Sequence, residues 1–274
     1  MIRCELSRIL LSFPQVGLQL SWYGVLFSLG IFFSSLAGIK LATTLCKNEK
    51  VQKELRISLE NFALGALLAI VVGARVFYVL FYGGDFYFEN PSEILKIWKG
   101  GLSSHGAIAA VIIWSAVFSR QHIRRLPMLS VIYICDLCGA VFGCAALFIR
   151  IGNFMNQEIL GTPTSMPWGV IFANSSSQIS RHPVQLYEGF SYFLLSCILY
   201  RLCYRRIIRL GSGYSAAGAL IGVACIRFLA EFFKMHQGAW LSEGGILTIG
   251  QWLSIPLLFL GAGIIWFASK KRSL

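Results

Sequence analysis

Charge is what this sequence lacks most: only 13% of its 274 residues are charged, against 56% hydrophobic. With a mean hydropathy of +0.68, there is too little polar material to coat a soluble globule, and that class is excluded. Acidic residues are the scarcer sign, 12 against 24 Lys and Arg, giving a net charge of +12. That balance would suit nucleic acid, but the basic residues are placed as membrane insertion places them, so no nucleic-acid partner is expected. Low-complexity segments and internal repeats are absent. So are the Gly-x-Ser-x-Gly and paired aspartates of a hydrolase and the Gly-Lys-Ser/Thr ending of a phosphate loop. None of the four histidines is spaced like a zinc pair, so neither metal nor cofactor is expected. Arg3, Glu5 and Arg8 interrupt the start before any apolar core begins; it does not read as a cleaved signal peptide, and the first span is expected to be retained. The eight cysteines lie mostly in apolar runs or beside basic loops, which argues against a disulfide framework. Cys135 and Cys138 read as small packing residues one helical turn apart.

What is abundant is apolar run length. A spanning helix needs roughly 20 mainly apolar residues, and seven runs qualify: Gly17 to Ile39, Leu59 to Tyr82, Leu102 to Phe118, Met128 to Ile149, Gln185 to Leu202, Tyr214 to Phe233 and Ile246 to Ala268. Fifteen Lys and Arg follow the first, third, fifth and seventh runs, among them Lys47, Arg124, Arg205 and Lys270. Seven lie on the other side, among them Arg3, Lys96, Arg181 and Lys234. The expected fold is therefore an all-α polytopic membrane protein of seven transmembrane helices, N-terminus outside and C-terminus cytoplasmic. Residues 1–274 form one transmembrane domain, with outer loops 83–101 and 150–184 as a small cap. The first twenty residues read as an outer amphipathic segment along the interface, and Pro91 as the start of a short outer helix.

Ionisable residues inside such a protein are expensive and point to sites. The stretch RIGNFMNQEILG from Arg150 to Gly161 sets Arg150, Asn153, Asn156 and Glu158 where an apolar run ends. Tyr23 sits about two turns into the first span, Arg75 in the outer third of the second, and His105 just inside the third, among glycines. Asp136 falls near the middle of the fourth, fitting either a helix-locking hydrogen-bonded group or a catalytic one. The 22-residue loop from Thr162 to Pro183 is long enough to be functional; within it His182 is held extended by Pro183. Glu188 opens the fifth span as a structural partner for one of the arginines. In the sixth, Arg227 and Glu231 share a helix face; a mutual ion pair is the plain reading, though a paired arginine still has donors for phosphate. Thr248, Gln251 and Ser254 recur at helical spacing in the last span and either line a cavity or pack a seam.

Placed on this topology, six helices present polar groups at one depth beneath the outer surface. Three arginines converging there, Arg75, Arg150 and Arg227, imply an anion, and the abundant anion at that depth is a phospholipid phosphate. Planar guanidinium groups hold phosphate through paired hydrogen bonds and stabilise it as a leaving group. Histidine, with a pKa of about 6.5, can take the proton of a weakly acidic nucleophile such as a thiol. A non-enzymatic anion or lipid transporter would also use converging arginines, but an odd number of spans argues against a simple duplicated one.

Over nearly its whole length the chain resembles the prolipoprotein diacylglyceryl transferases of the bacterial plasma membrane. The carrying motifs are WYG at Trp22, GARVFYVLFY from Gly73, WKGGLSSHGA from Trp98, RIGNFMNQEILG from Arg150, HPVQLYE from His182, RFLAE from Arg227 and LTIGQWLS from Leu247. The resemblance implies transfer of a diacylglyceryl group from phosphatidylglycerol to the lipobox cysteine thiol of a prolipoprotein signal peptide, at the outer leaflet of the inner membrane. It also implies functional positions at Tyr23, Arg75, His105, Asp136, Arg150, Asn153, Glu158, Gly161, Arg227 and Glu231. The chain departs from the family pattern at Gly73-Ala74-Arg75, where Gly-Gly-Arg is usual, and in GGLSSHGA, where GGMSFHGG is usual. It departs again at Lys234-Met235-His236-Gln237, where Arg-x-Pro-Asp is expected.

Overall fold

A computed structural model describes residues 2–13, 15, 18–175, 177–235 and 247–272. Expectations for His236, Gln237, Ile246 and Gly17 fall outside the described residues. Five helices among those described are long and apolar enough to cross a membrane: α1 (Trp22–Leu45), α2 (Glu49–Phe81), α5 (Val131–Met155), α7 (Tyr214–Ala230, with the 3-10 turn Glu231–Phe233) and α8 (Ile249–Arg272). The remaining two expected spans are also helices, α4 (Ser104–His122) and α6 (Val184–Tyr204). Both are diluted by polar residues, His105, Arg120 and His122 in the one and Gln185, Glu188 and Arg201 in the other.

The chain divides into two compact units, one of Phe13–Gln19 with Ile39–Ile134, the other of Met1–Ser12, Leu20–Gly38 and Cys135–Leu274. In the first unit α2 starts at an Asn48 cap, whose side chain accepts from the Lys50 and Val51 amides at 3.0 and 3.2 Å. It then packs on α4 with Gly73 set against Gly106, each where a Cβ would strike the other's backbone. Trp114 Nε1 donates to the Phe62 carbonyl at 3.0 Å and fastens the other end of the same contact. The α2–α4 connection contains α3 (Phe86–Glu89) and 3-10 turns at Pro91–Leu95 and Ile97–Lys99, so Pro91 does begin a short helical piece.

The N-terminal residues, expected as an outer amphipathic segment, are strand: β1 (Ile2–Cys4) in the second unit, followed along the chain by β2 (Ile9–Phe13) and β3 (Leu18–Ser21). β1 runs parallel to β4 (Val170–Phe172), which pairs antiparallel with β5 (Ser180–Arg181). Cys4, Val170 and Phe172 form a small buried core with Phe154 and Leu160 against it, and this burial draws the segment into a sheet. Helix α1 begins later than its apolar run does, because the Ser21 hydroxyl caps the Gly24 amide at 3.1 Å. Tyr23 is thus the second residue of α1 and not two turns inside it. The Ser34 hydroxyl of α1 donates to the Val141 carbonyl of α5 at 2.9 Å and accepts from the Ala145 amide at 3.0 Å.

Asp136 is the sixth residue of α5, not a mid-span group. Fully buried, its carboxylate accepts from the backbone amides of Gly211 at 2.9 Å, Gly213 at 2.8 Å and Ala216 at 2.9 Å. It thereby caps the start of α7 from a neighbouring helix, satisfying amides that α7 cannot satisfy itself. Asp136→Ala leaves those amides buried without acceptors, and at about 1–3 kcal/mol per unsatisfied group it should lower stability by several kcal/mol. A thermal melt in detergent measures this; an unchanged midpoint would remove the capping role.

Candidate active site

The site is built where α5 runs past its apolar stretch. Arg150, expected to sit at the end of the span, lies five residues inside the helix, which continues to Met155. The helix stops because Gln157 and Ile159 take left-handed conformations, φ 55° and 56°. For β-branched Ile159 that conformation is strained. It is held by neighbours on both sides: Gln185 donates to the Glu158 carbonyl and the Met235 amide to the Leu160 carbonyl. The turn brings the chain back on itself, so that the Glu158 amide donates to the Asn153 carbonyl at 2.9 Å.

A polar chain follows from that reversal. Arg150 Nη1 donates to Asn153 Oδ1 at 3.2 Å, and Asn153 Nδ2 donates to Glu158 Oε2 at 3.2 Å. Asn156 Nδ2 donates to the other Glu158 oxygen at 3.1 Å. Glu158 is exposed while Asn153 is buried, so the asparagine links a solvent-facing carboxylate to an inner guanidinium. Tyr23, its ring against Gly152, lies within electrostatic reach of both Arg150 and Glu158.

On its inner side Arg150 Nη2 faces Glu188 Oε2 at 3.0 Å, and the Glu188 side chain has no exposed surface. Glu188, expected to meet one of the arginines, meets a lysine as well: Lys234 Nζ is 2.8 Å from Glu188 Oε1 and 3.2 Å from Glu231 Oε2. The expected Arg227–Glu231 ion pair is not formed among the described residues. α7 gives way to a 3-10 turn at Glu231, and the tighter turn takes the carboxylate off the Arg227 face. It rests instead against Gly250 in the first turn of α8, where the helix's amide end favours an anion. That turn is a capping box: Gln251 N donates to Thr248 Oγ1 at 3.3 Å and Thr248 N to Gln251 Oε1 at 3.0 Å. The polar stripe expected at Thr248, Gln251 and Ser254 is therefore local helix-end bonding, with the Ser254 hydroxyl donating to the Gly250 carbonyl at 2.7 Å.

Arg227 is half-buried and has no hydrogen-bond or ion-pair partner among the described residues. The hydroxyl of Tyr192 lies within electrostatic reach of Arg227, Arg150 and Glu188 together, so both guanidinium groups act on one tyrosine. Tyr192 is not among the residues expected from the sequence, and Lys234 is expected there only as an outer-side cation and a departure from the family pattern. Each carried a signal, Tyr192 four residues from Glu188 on α6 and Lys234 three residues from Glu231, spacings that share a helical face.

Gly161 and His182 belong to the strand-like layer beside the site. A Cβ at Gly161 would run into the His182 carbonyl, and Thr162 accepts from the His182 amide at 3.0 Å. His182 Nδ1 is 3.1 Å from the Tyr187 hydroxyl, which accepts from Trp168 Nε1 at 2.8 Å.

The other unit holds Arg75 and His105. His105 is exposed in the first turn of α4, its ring 6.1 Å from that of Phe77. Arg75 is buried and makes four hydrogen bonds to backbone carbonyls. Nε reaches Ile94 at 2.8 Å, Nη1 reaches Gly100 at 2.7 Å and Gly101 at 2.9 Å, and Nη2 reaches Glu93 at 2.6 Å. Of the five N–H groups of a guanidinium, four thus organise the segment leading into α4. Arg75→Ala should raise amide hydrogen exchange across residues 93–103 by at least about tenfold, one to two kcal/mol of local stability; exchange as slow as in the unaltered protein would show those bonds to be dispensable.

Compared with known proteins, residues 9–267 match the sequence model described as prolipoprotein diacylglyceryl transferase. The phosphatidylglycerol–prolipoprotein diacylglyceryl transferase of Chlamydia trachomatis is 79% identical over 99% of this chain and 100% of its own length. The protein of that name from Chlamydia caviae is 51% identical over 93% and 89%, and that from Tolumonas auensis 35% identical over 94% and 95%. A polar network threaded through apolar helices and a likeness that runs the length of both chains lead to one assignment: the chain belongs to the prolipoprotein diacylglyceryl transferase family.

Proposed function

We propose that this protein transfers the diacylglyceryl group of phosphatidylglycerol to the lipobox cysteine thiol of a prolipoprotein signal peptide. The observation that carries the reading is the pair Arg150 and Arg227, both acting electrostatically on the Tyr192 hydroxyl, one guanidinium only partly engaged and the other without a hydrogen-bond or ion-pair partner among the described residues. Such a pair suits a phosphate diester whose charge grows as its carbon–oxygen bond breaks. The cysteine sulfur attacks the glycerol carbon and forms the thioether; the phosphate-bearing oxygen leaves with the bonding electrons as glycerol phosphate; the thiol proton passes to a base. The base is assigned to His105 on the family resemblance, as is a supporting role for Tyr23. Asn153 and Glu158 orient Arg150 and the head group, and Gly161 keeps the adjoining strand close. Arg75 contributes to lipid binding through the segment it holds. Glu231 fixes Lys234 beside Glu188, while Asp136 and His182 support the frame.

The finer topology belongs to the same proposal: seven spans in a bacterial plasma membrane, N-terminus outside, C-terminus cytoplasmic, the site toward the outer leaflet. The excess of Lys and Arg after alternate spans supports that orientation. The test is incubation of purified protein with phosphatidylglycerol micelles and a lipobox peptide. The peptide should gain one diacylglyceryl mass for each glycerol phosphate freed. Anion movement into vesicles without a thioether would instead favour the transporter, and release of glycerol phosphate with free diacylglycerol and no thioether would make the protein a phospholipase of the C type.

A further inference from the structure

We propose that Lys234 is a positioning residue that sets the charge an anionic head group meets at Arg150, an inference that rests on the phosphate reading above. Four charged side chains are packed together with little exposure: Glu188 at 0%, Lys234 at 11%, Arg150 at 14% and Glu231 at 16%. With Lys234 present the cluster is two cations against two carboxylates, and Arg227 then offsets the exposed Glu158 that Asn153 links to Arg150. Without it, two ionised carboxylates face Arg150 alone, and a phosphate would approach a site whose positive charge had been cancelled. At separations of several ångströms and partial burial, that change is large enough to alter anion affinity by about tenfold to a hundredfold.

The contact geometry gives a second reason. Lys234 occupies Glu188 Oε1 at 2.8 Å, so Arg150 meets Glu188 through Oε2 only. A free carboxylate would take an arginine through both oxygens. Lys234 thus prevents Arg150 from closing fully onto Glu188 and keeps part of its donor edge for the ligand. Because Lys234 also ties α6 to the turn after α7, a purely structural bolt is the competing explanation.

Lys234→Met removes the charge and keeps most of the apolar stem. KM for phosphatidylglycerol should rise about tenfold to a hundredfold, with kcat changed less than about threefold and KM for the lipobox peptide unchanged. Lys234→Arg should restore KM to near the starting value, since it carries the same charge. Equal rises in both KM values, an unchanged KM for the lipid in a folded Lys234→Met protein, or no rescue by arginine would overturn the proposal. Calorimetric titration with glycerol phosphate reads the same effect without turnover, so it stands apart from the proposed reaction. Weaker binding by Lys234→Met than by the unaltered protein supports the role of Lys234; equal binding, or none by either, refutes it.

Discussion

Arg150→Ala is expected to lower the rate of thioether formation by about a thousandfold or more, the scale of losing a donor aimed at developing charge in a dry site. Glu188 is fully buried, and a buried carboxylate stripped of its partner costs about 3–5 kcal/mol. Here Lys234 still holds Glu188 Oε1 at 2.8 Å, so the carboxylate is not abandoned and the chain should stay folded with a reduced melting temperature. Asn153 loses the donor to its Oδ1, and through it Glu158 loses some of its fixed orientation. Arg150→Lys should recover little of the rate, because an ammonium cannot reach a carboxylate, an amide oxygen and a phosphate from one planar fork. Turnover measured by peptide mass, beside a detergent melt of the same preparation, separates loss of chemistry from loss of fold. A folded Arg150→Ala protein working within tenfold of the unaltered one would dismantle the clamp.

How much of this site the sequence carried depends on the physical range of each signal. Apolar run length is local and additive, so the five helices long and apolar enough to cross a membrane fall where the runs lie. Ends were harder: α1 waits for the Ser21 cap, and α5 carries Arg150 inside it because the left-handed residues that stop the helix come only at Gln157 and Ile159. No apolar pattern encodes those events. The N-terminal strands were invisible for another reason, since β1 exists by pairing with residues some 170 positions along the chain. Among charges, spacing predicted contacts only where the helix stayed regular. Arg227 and Glu231 have an ideal four-residue separation, yet the 3-10 turn at Glu231 hands the carboxylate to Lys234. Arg75 marks the opposite limit. Its type and depth suggested an anion ligand, but its partners are carbonyl oxygens of residues 93 to 101, and main-chain acceptors leave no trace in sequence.

Arg227→Ala should separate catalysis from stability more cleanly than any other change in the protein. A half-buried guanidinium without a protein partner among the described residues contributes no ion pair to the fold, so its loss should move the unfolding free energy by only about 0.5 kcal/mol. Keeping such a group half-buried, with no carboxylate against it among the described residues, is unfavourable, and an arriving anion reverses that. The rate should fall about a hundredfold to a thousandfold, and glycerol phosphate should lose most of its power to inhibit. Because Arg150 and Arg227 both act electrostatically on the Tyr192 hydroxyl, the proposed reaction has them hold one phosphate as a unit. The double substitution should therefore cost much less than the sum of the two single losses. Additive losses would mean two separate sites. A sharp drop in melting temperature for Arg227→Ala alone would mean that this arginine is part of the scaffold, with the anion bound elsewhere.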